Sequence, residues 1–183
     1  MSLRTLADHL MDICQNSIKA GGKRITLSIE ETDEKFYFKV IDDAGGMDTE
    51  IQKIVFDPFY TSRNKKIRKV GLGLPFLKNA TELTGGYVSL KSEMGVGTIV
   101  EALFKKGHID CQPVGDIPNS LFALLSSSAE VDWIVNRKLN SEEYSIDTQA
   151  LFSGKNKDDI FSNPSFLAIL KESLCEMENS ILQ

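Results

Sequence analysis

Asp42-Asp43-Ala44-Gly45-Gly46-Met47 and Gly71-Leu72-Gly73-Leu74 are the stretches whose reading decides the fold of this 183-residue chain. Acids lead the first box, and the glycines of both let the backbone turn sharply and come close to a ligand. Working outward, Asp12-Ile13-Cys14-Gln15-Asn16 lies upstream and Gly95-Val96-Gly97-Thr98 downstream. One such box would carry little. Four in this order, within the first 100 residues, describe a pocket for a ligand.

The segments between the boxes have clear periods. Leu3, Leu6, Leu10, Ile13, Cys14 and Ser17 or Ile18 keep a helical spacing that Gly21-Gly22 ends. Ile25, Leu27 and Ile29, then Phe36, Phe38 and Val40, alternate with polar residues around a turn at Thr32-Asp33-Glu34, which predicts a hairpin. Residues 48–55 predict a short helix capped by Asp48. Residues 72–83 predict another, with Pro75 in its first turn. Strands are expected at 87–92 and 98–104.

The polar residues in this frame point to phosphate and base chemistry. Asp12 and Asn16 are four apart and share one helix face. Asparagine inside an apolar helix is unfavourable unless its amide is used. The plain use is a helix-capping or core hydrogen bond; the other is a ligand. Asp42, at the end of a strand, can accept from an amino group of a base, or simply form a turn. Gly71 and Gly73 start a helix whose free N–H groups face outward for phosphate. Residues 61–70 hold Arg63, Lys65, Lys66, Arg68 and Lys69 and no acid. Neither GxxxxGK[ST] nor a strand–GxGxxG–helix unit occurs.

In this order the boxes resemble the ATP-binding domain shared by sensor histidine kinases, anti-sigma-factor serine kinases, DNA gyrase, the mismatch-repair ATPase and the large heat-shock chaperone. The local texture is most similar to the histidine-kinase catalytic domain, with Asp57-Pro58-Phe59-Tyr60 as the phenylalanine box and Gly85-Gly86 ending the helix after the GLGL box. The resemblance implies an α+β fold, a two-layer α/β sandwich of the Bergerat type, over residues 1–106. It implies ATP and Mg²⁺ as ligands, with Asn16 on the metal and Asp42 on the adenine amino group. Asp12 stands where family members often carry a catalytic Glu. It would act as general base, stand behind the metal, or be an ordinary helix acid. Lys19 resembles the phosphate-facing lysine of the kinase pattern. Gly46, Met47, Phe59, Leu72 and Leu74 would line the pocket, as Ile54 and Leu83 would among apolar walls. Thr61, Ser62, Arg63 and Lys65 would form a short lid between Phe59 and Gly71. Thr98 resembles the threonine that braces the adenine-binding acid. Ala44 departs from the family's Asp-x-Gly-x-Gly by replacing its first glycine. His9 is expected at the surface or behind the site.

Charge changes where the boxes end. Residues 1–107 carry 16 basic and 14 acidic side chains, whereas residues 108–183 carry 5 and 12. This supports a division near Lys106-Gly107, with a small acidic helix–hairpin–helix unit over 107–183. About 70 residues are marginal alone, so the unit is expected to pack on the first domain or on a partner. An acidic appendage argues against nucleic acid. Three distant cysteines suggest a reducing cytoplasm, and no apolar run reaches bilayer length. The segment His108-Ile109-Asp110 followed by Pro113-Val114-Gly115-Asp116 resembles the junction in small stand-alone bacterial kinase-like proteins, sometimes encoded near iron-only hydrogenase genes. No helical hairpin bearing a phospho-accepting histidine precedes the ATP domain, so autophosphorylation is not expected. Phosphotransfer to a separate protein, slow hydrolysis, and a non-catalytic adaptor gated by nucleotide stay open, with an unidentified protein partner; a homodimer is compatible.

Overall fold

The computed structural model describes residues 3–58, 72–154 and 156–182. The first helix, α1 (Leu6–Lys19), leads into a hairpin of β1 (Arg24–Glu31) and β2 (Lys35–Asp42). Short α2 (Thr49–Ile54) and then α3 (Gly73–Leu83) precede a second hairpin, β3 (Tyr87–Glu93) and β4 (Gly97–Lys105). Beyond it come α4 (Ile117–Leu125), β5 (Asp132–Leu139), β6 (Glu142–Asp147), two short helices α5 (Thr148–Leu151) and α6 (Lys157–Phe161), and the long α7 (Pro164–Ile181).

All six strands form one sheet in the order β3-β4-β2-β1-β5-β6. The arrangement is a mixed α+β sandwich, with helices on one side of the sheet. Along β2 every second residue is buried, from Phe36 through Phe38 and Val40 to Asp42, so a strict two-residue period ends on an acid. That acid sits where β2 leaves the sheet, directly opposite Thr98 in the register with β4. The core runs from Leu6, Leu10 and Ile13 on α1 through Phe36, Phe38 and Phe104 on the sheet to Leu121, Leu124 and Trp133 in the C-terminal segment.

The C-terminal hairpin does not stand apart from the sheet. β5 pairs in parallel with β1 from Arg24↔Asp132 to Glu31↔Leu139. α4 packs against both α1 and α7. At the far end of this seam Arg137 is 2% exposed. Its guanidinium donates to Glu31 Oε2 at 2.6 Å and to Glu178 Oε1 at 2.8 Å. Lys106 Nζ donates to the other oxygen of Glu31, and Tyr144 OH to Glu178 Oε2. Two buried acids thus meet two cations and a phenol, which satisfies charges that would be costly alone.

Among the described residues no helix is long and apolar enough to cross a membrane.

Candidate nucleotide site

α1 brings the first polar group into place. Thr5 caps it, accepting from the Asp8 amide at 3.1 Å, while the Asp8 carboxylate accepts from the Thr5 amide at 2.9 Å. With its start fixed, the helix turns Asp12 and Asn16 to the same side. Asn16 Nδ2 donates to Asp12 Oδ2 at 3.2 Å. The bond orients the amide, so that Asn16 Oδ1 is left as the acceptor for a ligand.

α3 closes on the same carboxylate. A Cβ on Gly73 would come within 1.6 Å of Asp12 Oδ2. Any larger residue at the start of α3 would displace Asp12, which gives the third residue of the GLGL box a steric reason. Leu74, next to it, is buried and lines the cavity described below.

Asp42 is 8% exposed and heavily engaged. Its Oδ1 accepts from the amides of Ala44 at 3.1 Å and Thr98 at 3.2 Å. Its Oδ2 accepts from Ser17 Oγ at 2.5 Å. Two bonds fill Oδ1, while Oδ2 holds one and keeps room for another. The spare acceptor of the site is therefore on Oδ2. Asp43 turns the other way and accepts from the amides of Lys23 and Arg24 at 2.7 and 2.9 Å. Burial raises the Asp43 carboxyl, but these bonds more than offset it and hold the group below its ordinary value.

The departure at Ala44 is sterically harmless. Ala44 is not among the residues with positive φ, whereas Gly46 has φ +68° and a Cβ there would meet Glu93 O at 1.9 Å. The position that requires glycine is the second one, and this chain keeps it. The turn is held by a lattice absent from the sequence reading. The Met47 amide donates to Ser92 Oγ at 2.8 Å, and Gln52 Nε2 donates to the carbonyls of Met47 and Ser92 at 2.9 and 2.8 Å. Ser92 Oγ lies 2.9 Å from Thr98 Oγ1. Thus α2 is tied to β3, and β3 to the residue opposite Asp42.

Some of these groups line a cavity of about 380 Å³, with Asp12, Gly73, Gln52 and Ser92 outside its lining. Asn16, Ser17, Asp42, Gly46 and Thr98 give it polar walls, and Ile13, Met47, Ile51, Leu74 and Val100 give it apolar ones. An apolar slot with few convergent polar groups suits the ring system of a small ligand. A hollow of about 440 Å³ opens on the other side of Asp42, among Arg24, Thr26, Ile41, Asp43 and Lys91. It lacks Asn16 and Gly46, so the boxes converge on the smaller one.

Several expected residues fall elsewhere. Lys19 is exposed at the last turn of α1 and does not line the cavity. Leu72 is 47% exposed, Ile54 lies outside the lining, and Leu83 is half exposed on α3 and borders a different hollow with His9. Phe59, Tyr60, Thr61, Ser62, Arg63, Lys65 and Gly71 lie outside the described residues. Of the two places expected for His9, the surface is excluded: it is 2% exposed, and its Nε2 lies 2.9 Å from Gln112 Oε1. Burial pushes its imidazole below the ordinary value, against the opposing pull of Gln112, Asp8 and Asp12. Ser17, Gln52 and Ser92 were missed. For Ser17 the available signal was a hydroxyl in a slot that the helical period reserves for an apolar residue.

With this geometry in place, the comparisons are direct. The family model described as "Histidine kinase-, DNA gyrase B-, and HSP90-like ATPase" matches residues 3–108, more than half of the chain. The chain belongs to this family. The sensor histidine kinase YvrG of Bacillus subtilis is 33% identical over 101 residues, covering 53% of this chain and 17% of the kinase. Sporulation kinase D of the same organism is 33% identical over 99 residues, covering 51% of this chain and 19% of the kinase. The heme sensor protein HssS of Staphylococcus saprophyticus is 31% identical over 105 residues, covering 56% and 23%. The chain thus spans less than a quarter of the length of these relatives. A solved structure described as the N-terminal domain of a DNA repair protein overlays 78% of this chain and 51% of its own, with a TM-score of 0.48 and 14% identity.

The donor set beside the cavity suits Mg²⁺ held largely by a ligand's phosphates. Among the described residues no group of three or more His, Cys, Asp or Glu side chains could hold a metal alone. One oriented amide oxygen beside one carboxylate suits an ion that keeps its waters and takes most of its ligands from phosphate. Asn16 would hold such an ion directly, and Asp12 would fix the amide and accept from a bound water.

Proposed function

We propose that this chain is a Mg-ATP-binding, kinase-like regulatory protein that phosphorylates a separate protein or hydrolyses ATP slowly. The observation that carries the reading is Asp42: a buried carboxylate with three protein donors and one spare acceptor, at the mouth of an apolar slot. An adenine amino group is the donor that matches it. The ring would lie between Met47, Ile51, Leu74 and Val100, and the phosphates would run toward Asn16 and the start of α3. Bound Mg²⁺ would neutralise phosphate charge. Asp12, held by Asn16 and pressed by Gly73, would accept a proton from a water or hydroxyl in line with the terminal phosphate. The 61–74 segment would supply positive charge from Arg63 and Lys65 and hydroxyl donors from Thr61 and Ser62.

A second reading has its own support. Asp12 is one methylene shorter than the Glu common in the family, and the acidic C-terminal segment is joined to the same sheet. Both favour an adaptor that changes shape with nucleotide and turns nothing over. In that second reading the partner is a protein that meets the 107–183 unit.

Nucleotide titration tests the site. Wild type is expected to bind ATP more tightly with Mg²⁺ than without, and Asn16→Ala to bind equally in both. A Mg²⁺ effect that survives in Asn16→Ala removes the metal assignment. ATP turnover, alone and with co-purifying protein, separates the two readings: loss of turnover in Asp12→Asn supports catalysis, and absence of turnover in wild type supports the adaptor.

A further inference from the structure

The helix that carries Asp12 and Asn16 is fastened at its other end by the segment leading to the C-terminal unit. A helix start leaves its first amides without intrahelical partners. In α1 the Asp8 amide goes to the Thr5 cap, but the Leu6 amide donates to Pro113 O at 3.0 Å and the Ala7 amide to Val114 O at 2.9 Å. The same segment reaches one turn further along the helix. Gln112 Nε2 donates to Leu3 O at 3.0 Å, which leaves Gln112 Oε1 to accept from His9 Nε2–H at 2.9 Å. Two residues past Val114, Asp116 caps α4, whose Ile117, Leu121 and Leu124 belong to the same buried cluster as Leu6 and Leu10.

We infer that residues 112–116 form a strap that couples nucleotide at the Asn16 end of α1 to the C-terminal unit, with His9 and Gln112 as its positioning residues. This rests on the Mg-ATP reading of the site. The physical basis is the stiffness of α1: about 10 Å of continuous helix separates His9 from Asn16. A ligand that fixes Asn16 fixes the axis and roll of α1, and the strap carbonyls must follow or leave two buried-end amides without partners. By reciprocity, whatever seats α4 firmly on α1 favours the nucleotide-bound setting of Asn16. The amides of Leu6 and Ala7 have one partner each in the strap, so the two states are strap fastened and strap released.

Amide hydrogen exchange on the full chain reads the strap directly. Three proteins are compared: wild type, Gln112→Met, which keeps shape without the polar bonds, and Gln112→Glu, which keeps the acceptor for His9. Without nucleotide, Gln112→Met is expected to speed exchange at Leu6 and Ala7 at least threefold relative to β2 and β4; no change there overturns the strap. With Mg²⁺ and a non-hydrolysable ATP analogue, wild type is expected to slow exchange in 112–125, and Gln112→Met to lose that effect. The Mg²⁺-dependent gain in affinity should fall at least threefold in Gln112→Met, with Mg²⁺-free affinity within twofold, and recover in Gln112→Glu. An unchanged gain in Gln112→Met, or an equal loss with and without Mg²⁺, overturns the coupling. If wild type binds no nucleotide at all, the failure belongs to the Mg-ATP reading and takes the coupling with it, whereas the apo exchange still judges the strap.

Discussion

Two buried acids in this molecule do opposite things. Glu178, at the outer end of the β1–β5 seam, is saturated: Arg137 reaches both of its oxygens and Tyr144 adds a third donor. Asp42, at the end of β2, is almost as buried, yet its Oδ2 has one partner and faces a cavity. Burial alone does not mark a site. A carboxylate with no spare lone pair locks elements together, and one with a spare lone pair beside an empty apolar slot is ready for a ligand.

The contrast breaks first at Arg137. Arg137→Ala strands Glu31 and Glu178 in the seam, and removal of one partner of a buried ion pair typically costs about 3–5 kcal/mol. Chemical denaturation should show this loss, with Mg²⁺-independent nucleotide affinity of the remaining folded protein unchanged. A loss below about 1 kcal/mol would mean that the seam acids are hydrated rather than locked.

At Asp42 the expected effect is on binding. Asp42→Asn would keep Oδ1 toward the Ala44 and Thr98 amides and place an NH₂ group where Oδ2 had its spare acceptor. Ser17 Oγ can turn and accept from it, so the fold should hold. An adenine amino group would then meet a donor. Loss of one charged hydrogen bond is about 1.5–3 kcal/mol, or roughly tenfold to a hundredfold in ATP affinity. Retained tight binding in this variant with an unchanged thermal midpoint would remove adenine from the slot.

The smallest effect comes from His9, which belongs to neither acid. Its folded-state value is pushed below the ordinary 6.5, so the unfolded chain takes up a proton first as pH falls. Stability should be level above about pH 6.5 and decline as pH drops from there through the folded-state value, before carboxylates such as Asp43 begin to titrate. His9→Gln should flatten that part of the profile in thermal melts between pH 7 and pH 5. A wild-type profile already flat over this range would mean that His9 titrates alike in both states.

Much of the site was legible because it is local. Asp12 and Asn16 share a helix face by spacing alone, and the alternation of β2 carries straight to Asp42. Gly46 and Thr98 follow from the boxes around them. The partners of Ser17, Gln52 and Ser92 were not legible: each acts across 25 to 45 residues, through bonds that depend on how α1 and α2 roll against the sheet. Ser17 sat in a slot shared with Ile18: its hydroxyl there was a hint, but the period could not name Asp42 as its partner. The burial of His9 was not legible for a similar reason, since its partner is Gln112, more than 100 residues away. A hairpin within 107–183 was expected, but its parallel pairing with β1 was not, because two-residue periods do not name a neighbour.

That parallel partner has a cost in time. β1 is complete by residue 31, yet the strand that covers its free edge begins only at Asp132. During synthesis, about a hundred residues must emerge before the contact can form, and such late, distant pairings slow folding. Until then the growing chain carries a row of unpaired amides beside Ile25, Leu27 and Ile29, the kind of edge that invites another chain. A fragment ending near residue 107 would keep every nucleotide box and leave that edge bare. The C-terminal hairpin covers that edge and moves the end of the sheet to β6, where Glu142, Glu143 and Asp147 put charge on the exposed strand.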